Sequence, residues 1–131
     1  MTYRQIYENA LRLICETADS TDTSDYEERA GYILATFLGQ CAPADRQYRV
    51  AHQMILSSPV ALAHVDLDAA FGLSDVFVTP AQYYLAAMLV MDENEDLSDR
   101  FFELYTDGIT ALLSALPCST ESITDRYRCL M

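Results

Sequence analysis

The sequence predicts a mainly α-helical protein, a small helical bundle of four to five helices, and three observations carry that expectation. Apolar residues recur at spacings of three and four through most of the chain. Helix-starting residues stand ahead of those stripes, with Thr2, Ser24 and Thr79 as candidate N-caps. The segment from Thr79 to Leu116 also reads as two apolar helices joined by an acidic turn, a helical hairpin at about 80–116.

Taken in order, Thr2-Tyr3-Arg4-Gln5 matches a capping box, in which the Thr hydroxyl and the Gln side chain satisfy each other's backbone N–H groups. A helix is expected from there to about Ala18, with Tyr3, Ile6, Tyr7, Ala10, Leu13, Ile14 and Thr17 on its apolar face. The polar run 19–23 is expected to be a linker. Ser24-Asp25-Tyr26-Glu27 is a second capping box, with acids in the first turn where the helix dipole favours them. Behind it Tyr26, Ala30, Ile33, Leu34, Phe37, Leu38 and Cys41 form an amphipathic stripe, which Pro43 is expected to end or kink. Gly31, inside this helix, costs about 1 kcal/mol relative to Ala and suggests close packing.

Asp45 to Met54 could form a short helix carrying Arg46, Arg49 and His52, and Ser57-Ser58-Pro59 breaks it. Leu62 to Asp68 alternates apolar and polar residues, and Asp75 to Val78 could pair with it, so the sequence allows a short β-ribbon within 60–78. In the hairpin, Thr79 is the expected N-cap and Pro80 the first helical residue. The run from Tyr83 to Met91 is apolar on nearly every side and should be buried. Asp92, Glu93, Glu95, Asp96 and Asp99 are too charged to bury. Leu97, Phe101, Leu104, Tyr105, Ile109, Leu112, Leu113 and Leu116 then continue at helical spacing. Residues 1–116 are expected to be a single helical domain, with 117–131 as a C-terminal tail.

At 131 residues the chain can close a hydrophobic core without staples. Twenty acids against eight basic residues, all of them Arg, give a formal net charge of −12. Such a surface repels phosphates and weighs strongly against general nucleic acid binding, so no sequence-specific nucleic acid binding is expected, while it favours basic partners or contacts in which Arg meets carboxylate. A phosphate mimic built from carboxylates is a lesser reading, because the acids cluster instead of tracking a regular stripe. Cys15, Cys41, Cys118 and Cys129 include no C-x-x-C pair and fit no zinc spacing. The early Arg4 and Glu8 interrupt any signal-peptide core, and no run reaches the length of a membrane span. A cytoplasmic protein without membrane contact is expected.

No motif supplies chemistry. Asp92 to Asp96 lacks the ligand alternation and the glycine of a calcium loop. His64, Asp66 and Asp68 would share one face of an extended segment, which makes a metal site conceivable but matches no known ligand pattern. No nucleophile turn or phosphate-cradling glycine loop is present. The chain is therefore expected to be no enzyme and to hold no cofactor. Paired rings at Tyr83-Tyr84 and Phe101-Phe102 can each send one ring to the core and one outward. With Arg enriched at interfaces, the candidate contact residues are Arg46, Arg49, Tyr84, Arg100, Phe102, Arg126 and Arg128.

The wording YYLAAMLVMDENEDLSDRFFELY, within residues 81–105, resembles a helix pair of small phage and prophage head–tail connector (head-completion, neck) proteins. The resemblance lies in an apolar Leu/Ala helix, an acidic turn and a second helix with aromatic-then-Tyr spacing. The absence of Lys and the polar 19–23 linker depart from that pattern. The resemblance implies a mainly helical, non-enzymatic assembly subunit that forms a homo-oligomer, such as a ring, at the portal–tail junction. Its partners would be portal and other phage structural proteins, in the bacterial cytoplasm or in the virion. A small acidic binding module, an inhibitor or adaptor that sequesters a basic protein, is the alternative.

Overall fold

In the computed structural model, residues 1–14, 23–56 and 62–116 are described. Within them the chain forms four α-helices: α1 (Tyr3–Leu13), α2 (Thr23–Ala51), α3 (Val78–Val90) and α4 (Glu95–Ser114). A 3-10 turn, Asp75–Phe77, leads into α3.

The core is organised around α3. Its sequence is apolar on all sides, and Ala81, Tyr84, Leu85, Ala86, Ala87, Leu89 and Val90 are all buried. A helix of that composition is stable only when neighbours cover every face. α1, α2 and α4 all pack against it. Small residues permit the closest approaches. Ser98 of α4 is buried and donates its hydroxyl to the Ala87 carbonyl of α3 at 2.9 Å. Lower in the hairpin, Gly108 of α4 lies against the Pro80 ring.

α1 starts with the expected capping box, both halves of which form. Its buried face is Tyr3, Ile6, Tyr7, Ala10 and Leu11, with Ile14 as C-cap. The three-four progression from Tyr7 thus continues through Leu11, and Leu13 turns outward. Residues 15–22, which hold the rest of the expected helix, Cys15 and most of the linker, lie outside the described residues.

α2 is one helix of 29 residues where two were expected. It begins at Thr23, so Ser24 is not its N-cap, and it runs through Pro43. Proline removes an N–H and crowds the carbonyl four residues back. Here that residue is Gly39, and both it and Pro43 are exposed. A Cβ at Gly39 would meet nothing within 4 Å, so the freed carbonyl can tilt toward water. The buried stripe of α2 is the expected one, Tyr26, Ala30, Ile33, Leu34, Phe37 and Cys41, with Leu38 half-buried beside it.

No β-ribbon forms among the described residues. The alternation holds from His64 to Asp68, with Val65 and Leu67 buried and His64, Asp66 and Asp68 exposed, but Leu62 and Ala63 are exposed as well. Its backbone partners, however, are the start of α1 and the body of α2. Tyr3 N–H donates to Ala69 O, Arg4 N–H to Leu67 O, Phe71 N–H to Met1 O and Val65 N–H to Gly31 O. A lone antiparallel bridge joins Thr2 and Ala70. The intended partner, Asp75 to Val78, coils into the 3-10 turn and the first residue of α3. Consequently α3 begins at Val78 with Phe77 at the cap, Thr79 is not its N-cap, and Pro80 takes the third helical position. The first turn has no intrahelical use for that N–H, so proline is still tolerated there.

At the hairpin turn, Asn94 caps α4 by accepting from the Leu97 N–H at 3.1 Å. Glu95 and Asp96 occupy its first turn, where negative charge is favoured. α4 is longer than α3, and its face is only partly covered: Phe101 is buried, Leu97, Tyr105, Ile109 and Leu112 are half-buried, and Leu104 and Leu113 are exposed.

Candidate functional site

Three regions hold most of the described residues that the sequence singles out. The first is an open cleft of roughly 380 Å³ lined by Arg4, Glu27, Glu28, His64, Asp66 and Leu67. Arg4 spans it, with Nε 2.8 Å from Asp68 and Nη1 3.2 Å from Glu27. Those two carboxylates raise the guanidinium's already high pKa. His64 lies edge-on to Tyr32, and its ring occupies the space a side chain at Gly31 would need. Asp66 accepts the Asp68 N–H at 3.0 Å. His64, Asp66 and Asp68 are thus each engaged by their own chain. Among the described residues no three His, Cys, Asp or Glu side chains are arranged to hold a metal ion.

The second is the aromatic seam of the hairpin. Tyr83 stacks on Phe101, and Tyr84 meets Phe102 edge-on. Tyr84 also contacts Phe37 and Tyr105. Tyr84 is a core residue with no surface to offer a partner, and Phe102 is half-buried against it. Cys41 lies in the same cluster, its sulfur 3.7 Å from the Tyr105 hydroxyl. Burial pushes the Cys41 thiol and the Tyr84 and Tyr105 phenols up, which keeps all three neutral.

The third is the C-terminal end of α2, and here the arrangement is built outward from a buried carboxylate. Asp45 is buried. One of its oxygens accepts the Ser74 N–H at 2.9 Å and the other accepts Arg49 Nε at 2.8 Å. Arg49 then reaches forward, its Nη1 donating to the Ile55 carbonyl at 3.0 Å. The helix itself ends in a Schellman motif. Gln53 stands at φ 56°, Met54 N–H returns to Arg49 O, and Gln53 N–H returns to Val50 O. Tyr48 packs between the His52 ring and Phe77, which holds the last turn against the core.

The result is a fixed platform displaying large apolar side chains to solvent. Ile55 is 88% exposed, Val50 60%, Leu56 47% and Met54 44%. Val76, next to the Ser74–Asp45 bond, is exposed as well. Scattered single apolar residues on a surface are ordinary, whereas a contiguous run mostly marks contact.

Of the candidate contact residues, Arg46 is exposed beside this platform and has no ion-pair partner among the described residues. Arg49 serves inside the platform as its brace. Arg100 is exposed on α4, without an ion-pair partner among the described residues, and Arg126 and Arg128 lie outside those residues. The exposed run itself was not predicted as a site. Its one available signal was the i, i+4 spacing of Asp45 and Arg49 at the end of a helix that closes on apolar residues.

No helix among the described residues is long and apolar enough to cross a membrane. No family model matches the sequence, and neither the curated proteins nor the solved structures compared with it gave a match.

Proposed function

We propose that this protein is a non-enzymatic assembly protein that works by contact. The form suggested by the sequence resemblance is a prophage head–tail connector that oligomerises and meets portal and other phage structural proteins. The observation that carries the reading is the braced apolar run at the end of α2, with Ile55 almost wholly exposed on a backbone tied down by Arg49. An apolar anchor on a backbone already held in place loses less entropy on binding, which is one way contact surfaces gain affinity. The helical scaffold and the strong negative charge agree with such a subunit, because a negatively charged lumen lets DNA pass without sticking.

The test is solution mass by light scattering over a wide concentration range at low and moderate salt. Growth toward a discrete oligomer is the expected result, and portal binding is then the next measurement. A monomer at every concentration overturns self-assembly and favours the second reading. That reading, an acidic module that sequesters a basic protein, is favoured by the exposed carboxylates of the α3–α4 turn and the start of α4, Asp92, Glu93, Glu95, Asp96 and Asp99. It expects capture of one basic partner with an affinity that falls as salt rises.

A further inference from the structure

We propose that the end of α2 is the contact face of a two-fold dimer of this chain, closed by a reciprocal ion pair between Arg46 of one copy and Asp75 of the other. The inference rests on the reading of that end as a contact surface and adds its occupant and symmetry.

The first argument is where the charge lies. Each copy carries a net charge of −12, so any self-contact must keep the acidic regions apart. The exposed acids of the α3–α4 turn are held to the opposite end of α2. The Tyr26 hydroxyl of α2 donates to Glu93, and Arg29 donates to the Met88 carbonyl at the end of α3. α2 is 29 residues long, about 43 Å at 1.5 Å per residue. When two copies meet through the far ends of α2, their acidic turns point away from each other. Any contact that brings those turns together desolvates carboxylates against carboxylates.

The second argument is self-complementarity. A two-fold contact presents the same patch twice, so residue i of one copy meets residue j of the other and the reverse. The platform has one cation and one anion of the right kind. Arg46 and Asp75 are both exposed, and neither has an ion-pair partner among the described residues. Their chain neighbours, Asp45 and Ser74, are hydrogen-bonded at 2.9 Å, so the two charges flank one patch without pairing with each other. Exposed apolar side chains stand beside both: Val50 shares a helix face with Arg46 at i, i+4, the Ile55 backbone is tied to Arg49, and Val76 follows Asp75 in the chain. Exposed apolar side chains accompanied by opposite charges are what a self-complementary interface needs. The contact closes on itself, so a ring would require a second surface.

The test uses charge reversal on the full chain, read by sedimentation equilibrium, with thermal melts as the folding control. Arg46→Glu and Asp75→Arg are expected each to weaken the wild-type dimer at least ten-fold, since each sets like charges face to face twice. Mixed in equal amounts, the two variants should form a 1:1 heterodimer close to wild-type affinity, because both pairs are then restored. Ile55→Asp should be monomeric alone and in any mixture. Single variants that dimerise like the wild type, or a mixture that stays monomeric, overturn the proposal. If the wild type still associates and Ile55→Asp abolishes it, the assembly reading survives that failure. A wild type that is monomeric throughout overturns both.

Discussion

Asp45 and Arg49, one helical turn apart near the end of α2, form the only ion pair among the described residues whose two side chains are both largely shielded from water. Arg4–Glu27, Arg4–Asp68 and Arg29–Asp25 are at least one-third exposed on both sides. Exposed pairs of that kind contribute little to stability. Asp45–Arg49 differs because each partner has a further task, Asp45 holding Ser74 and Arg49 holding Ile55.

Removing the carboxylate leaves a guanidinium and the Ser74 N–H without their acceptor. Asp45→Ala is expected to cost about 3 kcal/mol, whereas Ile55→Asp, at an exposed position, should leave stability within roughly 0.5 kcal/mol of wild type. Urea denaturation followed by helical circular dichroism measures both. Equal effects of the two substitutions would mean that the ion pair does not brace the end of α2.

The Schellman turn that follows uses Gln53 in a left-handed conformation, φ 56°. A side chain there crowds the following carbonyl and costs roughly 1–2 kcal/mol. Glycine relieves that strain but loses more freedom on folding. Gln53→Gly should therefore stabilise the protein by up to about 1 kcal/mol, and Gln53→Ala should leave it nearly unchanged. Thermal melts of the two variants decide it, and a destabilised Gln53→Gly would contradict the assignment of strain to this residue.

The helices were legible where local chemistry and apolar spacing agree. Thr2 and Gln5 cap α1 as their spacing predicts, the stripe from Tyr26 to Cys41 is the buried side of α2, and most of α3 is buried, with Gln82, Tyr83 and Met88 half-buried. The misreadings came where tertiary context decides. Pro43 normally stops a helix, and it is tolerated because the carbonyl it displaces belongs to an exposed glycine. Leu62 to Asp68 alternates like a strand, but alternation says which side faces the core and not which backbone supplies the partners. Tyr84, a candidate for the surface, is the ring on which Phe37, Phe102 and Tyr105 converge. The exposure of Val50, Met54 and Ile55 was illegible, because apolar residues at a helix end read as core until the neighbours that would cover them are known to lie elsewhere.

Gly31 and His64 make a coupled pair. A Cβ at position 31 would overlap His64 Nε2, so alanine there displaces the ring and its edge contact with Tyr32. In a helix interior alanine is otherwise favoured over glycine by about 1 kcal/mol. In a His64→Ala background, Gly31→Ala should thus gain about 1 kcal/mol, and in the wild type it should gain nothing or lose. A double-mutant cycle reads the coupling, and additive effects would show that the ring does not depend on the glycine.

The buried phenols set the response to alkali. Tyr7 is pushed up to about 12, first by burial and then by the Glu27 carboxylate. Tyr3, Tyr84 and Tyr105 are also raised, each by burial first. In the unfolded chain a phenol ionises near 10. A group whose pKa is higher in the folded state favours folding in its neutral form. That contribution is complete below pH 10 and is lost as pH climbs from there through the folded value, about 12 for Tyr7. Stability should accordingly fall across this interval, with part of the phenolate absorbance appearing only as helical circular dichroism disappears. Ionisation of every tyrosine near pH 10 with the helices intact would contradict the burial of Tyr7, and Tyr7→Phe should move the alkaline midpoint upward because it removes one group that the folded state holds neutral.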